Sequence, residues 1–159
     1  MKRLLIIPAL FFLFLITPSC SNGDDNNDST TPPSDAMTVF NATLTPAPGI
    51  TSSAYGSAVL TLNQTKKTFD ITVNYSGLTP IHGHIHGADG GVVIPFPDAT
   101  IATSPFTVSG TITDAQIAEL MANHYYVNLH TTTNPGGEIS GTLTKGASTG
   151  GGGGSGGGY

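Results

Sequence analysis

The stretch AVLTLNQTKKTFDITVNY, residues 58–75, decides the fold. Ala58, Leu60 and Leu62 fall at every second position, and after the polar turn 63–67 so do Phe69, Ile71, Val73 and Tyr75. Successive side chains of a strand point to opposite faces, so each run buries one face and leaves the other in water. Two such runs joined by a short polar turn predict a β-hairpin. Upstream, Phe40, Ala42 and Leu44 repeat the period. Downstream, Gly77 and Pro80 break the chain before a short strand over 81–86, and Phe106, Val108, Gly110 and Ile112 resume the alternation. Between them, residues 87–105 are rich in Gly and Pro and read as a long loop, a feature that is usually functional or mobile. Thr113 with Gln116 forms a capping-box signature that opens a helix over 114–123, with Ile117, Leu120 and Met121 on one side. The last two runs, 125–131 and 138–144, flank an Asn134-Pro135-Gly136-Gly137 turn and predict a second hairpin. Six or seven short strands in so short a stretch predict an all-β fold, an antiparallel Greek-key β-sandwich with one short helix.

Composition agrees and narrows the function. The 159 residues are 38% hydrophobic and only 9% charged, too few ions for a coiled coil or a charge-rich disordered chain. The basic residues are Lys2, Arg3, Lys66, Lys67 and Lys145. The first two belong to a stretch with the order of a leader, and without it the chain has 3 Lys, no Arg and 10 acidic groups, net 3 − 10 = −7. Phosphate backbones are bound through several Lys or Arg contacts, so no nucleic-acid partner is expected.

The leader is residues 1–19: Lys2 and Arg3, an apolar run over 4–16, then Thr17, Pro18 and Ser19 ahead of Cys20. The apolar run, interrupted by Pro8, is too short to cross a bilayer as a helix. Cys20 is the only cysteine, and its place resembles a bacterial lipobox, in which the cysteine is lipidated and becomes the first residue. This predicts an exported protein, lipid-anchored in the bacterial cell envelope, with the outer membrane as its site. Residues 20–36 carry four aspartates and almost nothing to bury, and read as a disordered acidic tether. A polar, acidic stretch after the lipidated cysteine resembles a surface-export signal, so a surface-exposed position is expected. Residues 146–159 are mostly glycine and read as a disordered tail.

Chemistry concentrates in the histidines. His82, His84 and His86 alternate in HGHIHG, and His130 ends YYVNLH. Residues two apart on a strand share a face, so His84 and His86 can aim at one point, and His130 joins them if its strand is the neighbour. Three imidazoles with an open position suit copper or zinc. A ligating histidine normally donates its other ring nitrogen to a carboxylate or carbonyl, and Glu138 or Asp89 could accept it. The other reading makes these residues polar strand positions, with His84 and His86 on a solvent face and His130 hydrogen-bonded in the hairpin. His82 reads as a rim residue and His124 as a cation at the C-terminal end of the helix. No nucleophile-and-base arrangement or phosphate-cradling loop is present in the sequence.

Two segments in order, His84-Ile85-His86-Gly87 with Val92 and Val93 beyond it, and Tyr126 to Thr131 ahead of Pro135-Gly136-Gly137-Glu138-Ile139, resemble the CHRD domain. The resemblance spans residues 37–143, within a domain set at 37–145. It differs at Ser140, where the family usually has Arg. The resemblance implies a module found as single copies in bacterial exported proteins and repeated in chordin, which sequesters growth factors. Its sandwich is similar to that of copper/zinc superoxide dismutase, and His84, His86 and His130 match by motif that enzyme's copper histidines. The dismutase's second metal subsite has no match in residues 87–105, which contain no histidine. A binding module with a copper or zinc site, acting on an unidentified protein or small ligand and not primarily an enzyme, is the implied function. A copper-dependent enzyme handling superoxide or another small oxidant, and a structural cell-surface spacer, are its alternatives.

Overall fold

The computed structural model describes residues 35–146. The leader, Cys20, the tether up to residue 34 and the glycine tail beyond residue 146 lie outside the described residues. Nine strands and two helices follow in order: β1 (Met37–Pro46), β2 (Tyr55–Asn63), β3 (Thr68–Ser76), β4 (His82–His86), β5 (Val92–Pro95), α1 (Asp98–Ile101), β6 (Phe106–Thr111), α2 (Asp114–Met121), β7 (Tyr126–His130), β8 (Ile139–Thr142) and β9 (Thr144–Lys145) among the described residues. The all-β expectation holds, and every strand pairing is antiparallel.

The strands run β5-β4-β7-β8-β1-β2-β3-β6, with β9 added to β1. This path folds into two sheets hinged on β1. Thr38 to Leu44 pair with β2 in the first sheet, whereas Thr45 and Pro46 pair with Ser140 and Ile139 of β8 in the second. The predicted hairpin is the centre of the first sheet, with Leu60 opposite Ile71 and Leu62 opposite Phe69. Chain crossovers carry β3 to β4 and β5 to β6 between the sheets, which gives the antiparallel path its Greek-key character.

The period-two pattern decides what is buried. Phe40, Leu44, Leu60, Leu62, Ile71 and Val73 of the first sheet meet Ile85, Val127, Leu129 and Ile139 of the second, all essentially inaccessible to solvent. At roughly 1.5–3 kcal/mol for each fully buried large apolar side chain, this interface is the main source of stability. The capping box is formed as predicted: the Gln116 amide N–H donates to Thr113 Oγ1, and Gln116 Oε1 accepts from the Thr113 amide. Leu120 is buried, with Ile117 and Met121 packed beside it.

Four expectations are corrected. Residues 87–105 are not one loop, because Val92 to Pro95 add β5 to the edge of β4 and Asp98 to Ile101 form a helical turn that buries Ile101. The expected terminal strand 138–144 is two, since the chain leaves the second sheet at Thr142, buries Leu143, and joins the first sheet beside Phe40 and Asn41. The helix ends at Met121, where Ala122 caps it and Asn123 turns to a positive φ of 60°. The fold also takes in the last two residues assigned to the tether: Asp35 accepts from Asn63 and Lys66, and the Ala36 carbonyl accepts from the Gln64 amide.

Candidate metal centre

On β4 and β7 the inward positions are apolar, Ile85, Val127 and Leu129. Alternation therefore turns His82, His84 and His86 of β4, and Tyr126, Asn128 and His130 of β7, onto the outer face of the second sheet. In this antiparallel pair His82 stands opposite His130, His84 opposite Asn128, and His86 opposite Tyr126. Two loops roof this face. The tight turn after β4 folds back through bonds between Gly87 and Gly91 and between Gly90 and Gly87, with Gly90 at φ 82°, a conformation that suits glycine. The Asn134-Pro135-Gly136-Gly137 turn, closed by a Gly137 amide bond to the Asn134 carbonyl, covers the other side. Under them His86 and His130 are buried and His84 is half-buried.

The three rings converge. His84 Nδ1 lies 3.1 Å from His130 Nε2, and His86 Nε2 lies 3.4 Å from the same atom. One nitrogen from each ring falls within 4.8 Å of the other two, so the cluster can hold a metal ion. Metal–nitrogen bonds of about 2.0–2.1 Å at tetrahedral angles put neighbouring ligand nitrogens about 3.3–3.4 Å apart. The two shortest separations lie close to that spacing before any ion is added.

Backbone carbonyls set which nitrogen faces inward. His86 Nδ1 donates to the Gly90 carbonyl at 2.9 Å, and His130 Nδ1 donates to the Pro135 carbonyl at 2.9 Å. A carbonyl oxygen only accepts, so both Nδ1 atoms carry hydrogen, and both Nε2 atoms present lone pairs to one point. Two lone pairs at 3.4 Å cannot bond each other; they need a shared proton or a cation. His84 Nδ1 can donate to His130 Nε2, or turn its own lone pair to the same point. Burial holds the His84 ring below its ordinary basicity, helped by the nearby His130, His86 and His82 rings. Burial does the same to His130, against the opposing bond to the Pro135 carbonyl. Both effects favour the neutral imidazole that a metal requires.

The structure thus brings His84, His86 and His130 together and leaves the expected carboxylates apart. Glu138 accepts from Ser52 Oγ at 2.6 Å, Thr131 Oγ1 at 2.7 Å and Asn134 Nδ2 at 3.2 Å, and these bonds hold its carboxyl below the usual range. Its effect on the rings passes through the turn it braces. Asp89 Oδ1 accepts the Gly91 amide at 3.0 Å and braces the other loop. Carbonyls occupy the outer positions because the two turns, not side chains, close over the rings. Any residue supplies a carbonyl, so no sequence signal marked Gly90 or Pro135 for this role. Gly83 faces the core, where a Cβ would crowd Leu129 and Phe96. His82 sits on the rim, exposed, with Nδ1 3.0 Å from Asp98 Oδ1 and its ring stacked on His84. His124 pairs with Glu119 at 2.7 Å just after the helix.

A two-sheet β domain with a trio of histidines able to hold a metal on an outer sheet face is the class these observations define. The profile of the CHRD domain matches residues 40–143, and the chain belongs to that family. No curated protein and no solved structure matches the chain.

Proposed function

We propose that this chain is a lipid-anchored, extracytoplasmic CHRD binding module that carries a copper or zinc ion on His84, His86 and His130. The observation that carries the reading is the convergence of three imidazole nitrogens, two with their tautomers fixed by the Gly90 and Pro135 carbonyls. Such fixing of ligand orientation by outer-shell acceptors accompanies metal-binding histidines generally. Binding is favoured over catalysis because the ring nitrogens are engaged by one another and by carbonyls, with no acid or nucleophile among their partners within the described residues. A net charge of −7 after the leader also repels an anion such as superoxide. The order of residues 1–20 supports export and anchoring through Cys20 in a bacterial envelope, at the outer membrane and facing outward, and the acidic residues that follow support a tether.

The test is the metal content of protein purified from its own membrane, followed by titration with Cu and Zn. Stoichiometric occupancy is expected. Protein that takes up neither ion ends the metal clause, and a mature N-terminus other than lipid-modified Cys20 ends the anchoring clause. Copper-loaded protein that turns over superoxide faster than free copper replaces binding by the enzyme reading.

A further inference from the structure

Along β4 the three histidines pass from solvent inward: His82 is exposed, His84 half-buried and His86 buried. His86 and His130 are covered by the two turns, so the trio meets solvent through His84. The His82 ring stacks on that same residue, with 6.3 Å between ring centres and 23° between planes. His82 also has the outer partner typical of a metal ligand, a carboxylate on one ring nitrogen, because its Nδ1 lies 3.0 Å from Asp98 Oδ1. An ionised carboxylate only accepts, so Nδ1 carries hydrogen and Nε2 of the neutral ring keeps its lone pair. Yet His82 is not among the residues whose nitrogens converge.

The rings of the trio also differ in how they are held. The Gly90 and Pro135 carbonyls fix His86 and His130, whereas the His84 ring has no carbonyl partner among the described residues and bonds only to His130 Nε2. It is the least restrained of the three. An ion about 2.0–2.1 Å from one nitrogen of each of two imidazoles lets their ring centres lie up to roughly 6.4 Å apart, so His82 and His84 are near enough to share one. The exposed His82 ring can turn to do so, since rotamer changes of exposed side chains are fast. We infer that His82 is the entry ligand of the centre: a copper or zinc ion is caught between His82 and His84, carried inward by the His84 ring to His86 and His130, and released by the same route. This rests on the metal reading of the trio and adds to it that the centre exchanges its ion through one defined residue. A ligand used only in passage lowers the barrier in both directions and leaves the end states alone. It therefore sets the rates of uptake and release but not their ratio, Kd.

The experiment compares the full chain with its His82→Ala variant, a change at an exposed position that leaves the core untouched. Zinc affinity is measured by competition with a chromophoric chelator. Zinc release is followed by stopped flow into an excess of that chelator, at concentrations where the rate no longer depends on it. The variant is expected to keep Kd within about twofold and to release zinc roughly tenfold more slowly, which corresponds to about 1.4 kcal/mol on the barrier. Release that is unchanged or faster overturns the inference, since His82 is then a bystander or a cover. A change in Kd that accounts for the change in rate overturns it as well, since His82 then acts on the bound state. Parent protein that binds no zinc or copper overturns the metal reading and this inference with it, whereas zinc bound and released alike by both proteins overturns this inference alone.

Discussion

His130 and Pro135 are joined across the terminal turn, the imidazole Nδ1 donating to the Pro135 carbonyl at 2.9 Å. That bond determines which nitrogen of His130 faces the other two rings and ties the geometry of the trio to the shape of a surface turn five residues along the chain. The neighbouring carbonyl, of Gly136, holds Asn128 in the same way. Two consecutive peptide groups of one turn thus set two of the three outward side chains of β7.

A metal on the three rings links β4 to β7, and ligand linkage stabilises the fold by RT ln(1 + [L]/Kd), about 2.7 kcal/mol at a hundredfold excess over Kd. Scanning calorimetry with Cu or Zn should therefore raise Tm by roughly ten degrees. His130→Ala should abolish the shift. An equal shift in the variant would show that His130 is not a ligand.

In the metal-free chain, His84 and His130 are harder to protonate folded than unfolded, where the ordinary value is 6.5. The unfolded state then binds more protons just below that value, so stability is complete above it and falls as pH drops through 6.5 towards the lowered folded values. Urea denaturation from about pH 7 down to about pH 5 should show this loss. The loss should diminish in the chain with His84 and His130 both replaced by Gln. A flat profile in the parent would contradict the burial assigned to the rings.

Glu138 acts with the opposite sign. Its folded-state carboxyl is held below the ordinary 4.5 by the bonds from Ser52, Thr131 and Asn134. The stability it contributes is present above that value and is lost as pH falls through the lowered one. Glu138→Gln should remove this acid branch. By loosening the 131–138 turn it should also weaken metal binding about tenfold, a typical outer-shell effect. Competition with a chromophoric zinc chelator measures the second effect, and unchanged affinity would confine Glu138 to stability.

Adjacent glycines should respond differently. Gly137 has φ 120°, and a Cβ there would collide with the Asn128 amide, whereas a Cβ on Gly136 meets nothing. Gly137→Ala is expected to cost about 2 kcal/mol and Gly136→Ala less than about 0.5 kcal/mol, read by urea denaturation. Equal costs would refute the close packing of Asn128 on Gly137.

Much of this was legible in the residues. The β2–β3 hairpin, the Thr113 cap and the final hairpin follow from period two, cap chemistry and turn chemistry, all of which are local. The histidine trio needed one non-local fact, that β7 lies beside β4, and the matching order of motifs suggested it. What was missed depends on contacts between distant segments. Val92 to Pro95 are too few to show a period, and they become a strand only by pairing with β4. Asn128 belongs to no motif, and its unpaired oxygen exists only once Gly136 and Gly137 close over it. Glu138 was offered to the rings as the carboxylate across the terminal hairpin, but three nearer donors take its carboxylate.

Tyr126 lies almost parallel to His86, their ring centres 5.2 Å apart. The chain contains no tryptophan, so its near-ultraviolet emission comes from tyrosine alone. One of the chain's five tyrosines is therefore stacked on a ring of the histidine trio. Copper on His86 would quench the Tyr126 share of that emission and zinc would spare it. Loss of tyrosine emission with copper but not with zinc would thus place the ion beside His86 in the unlabelled protein.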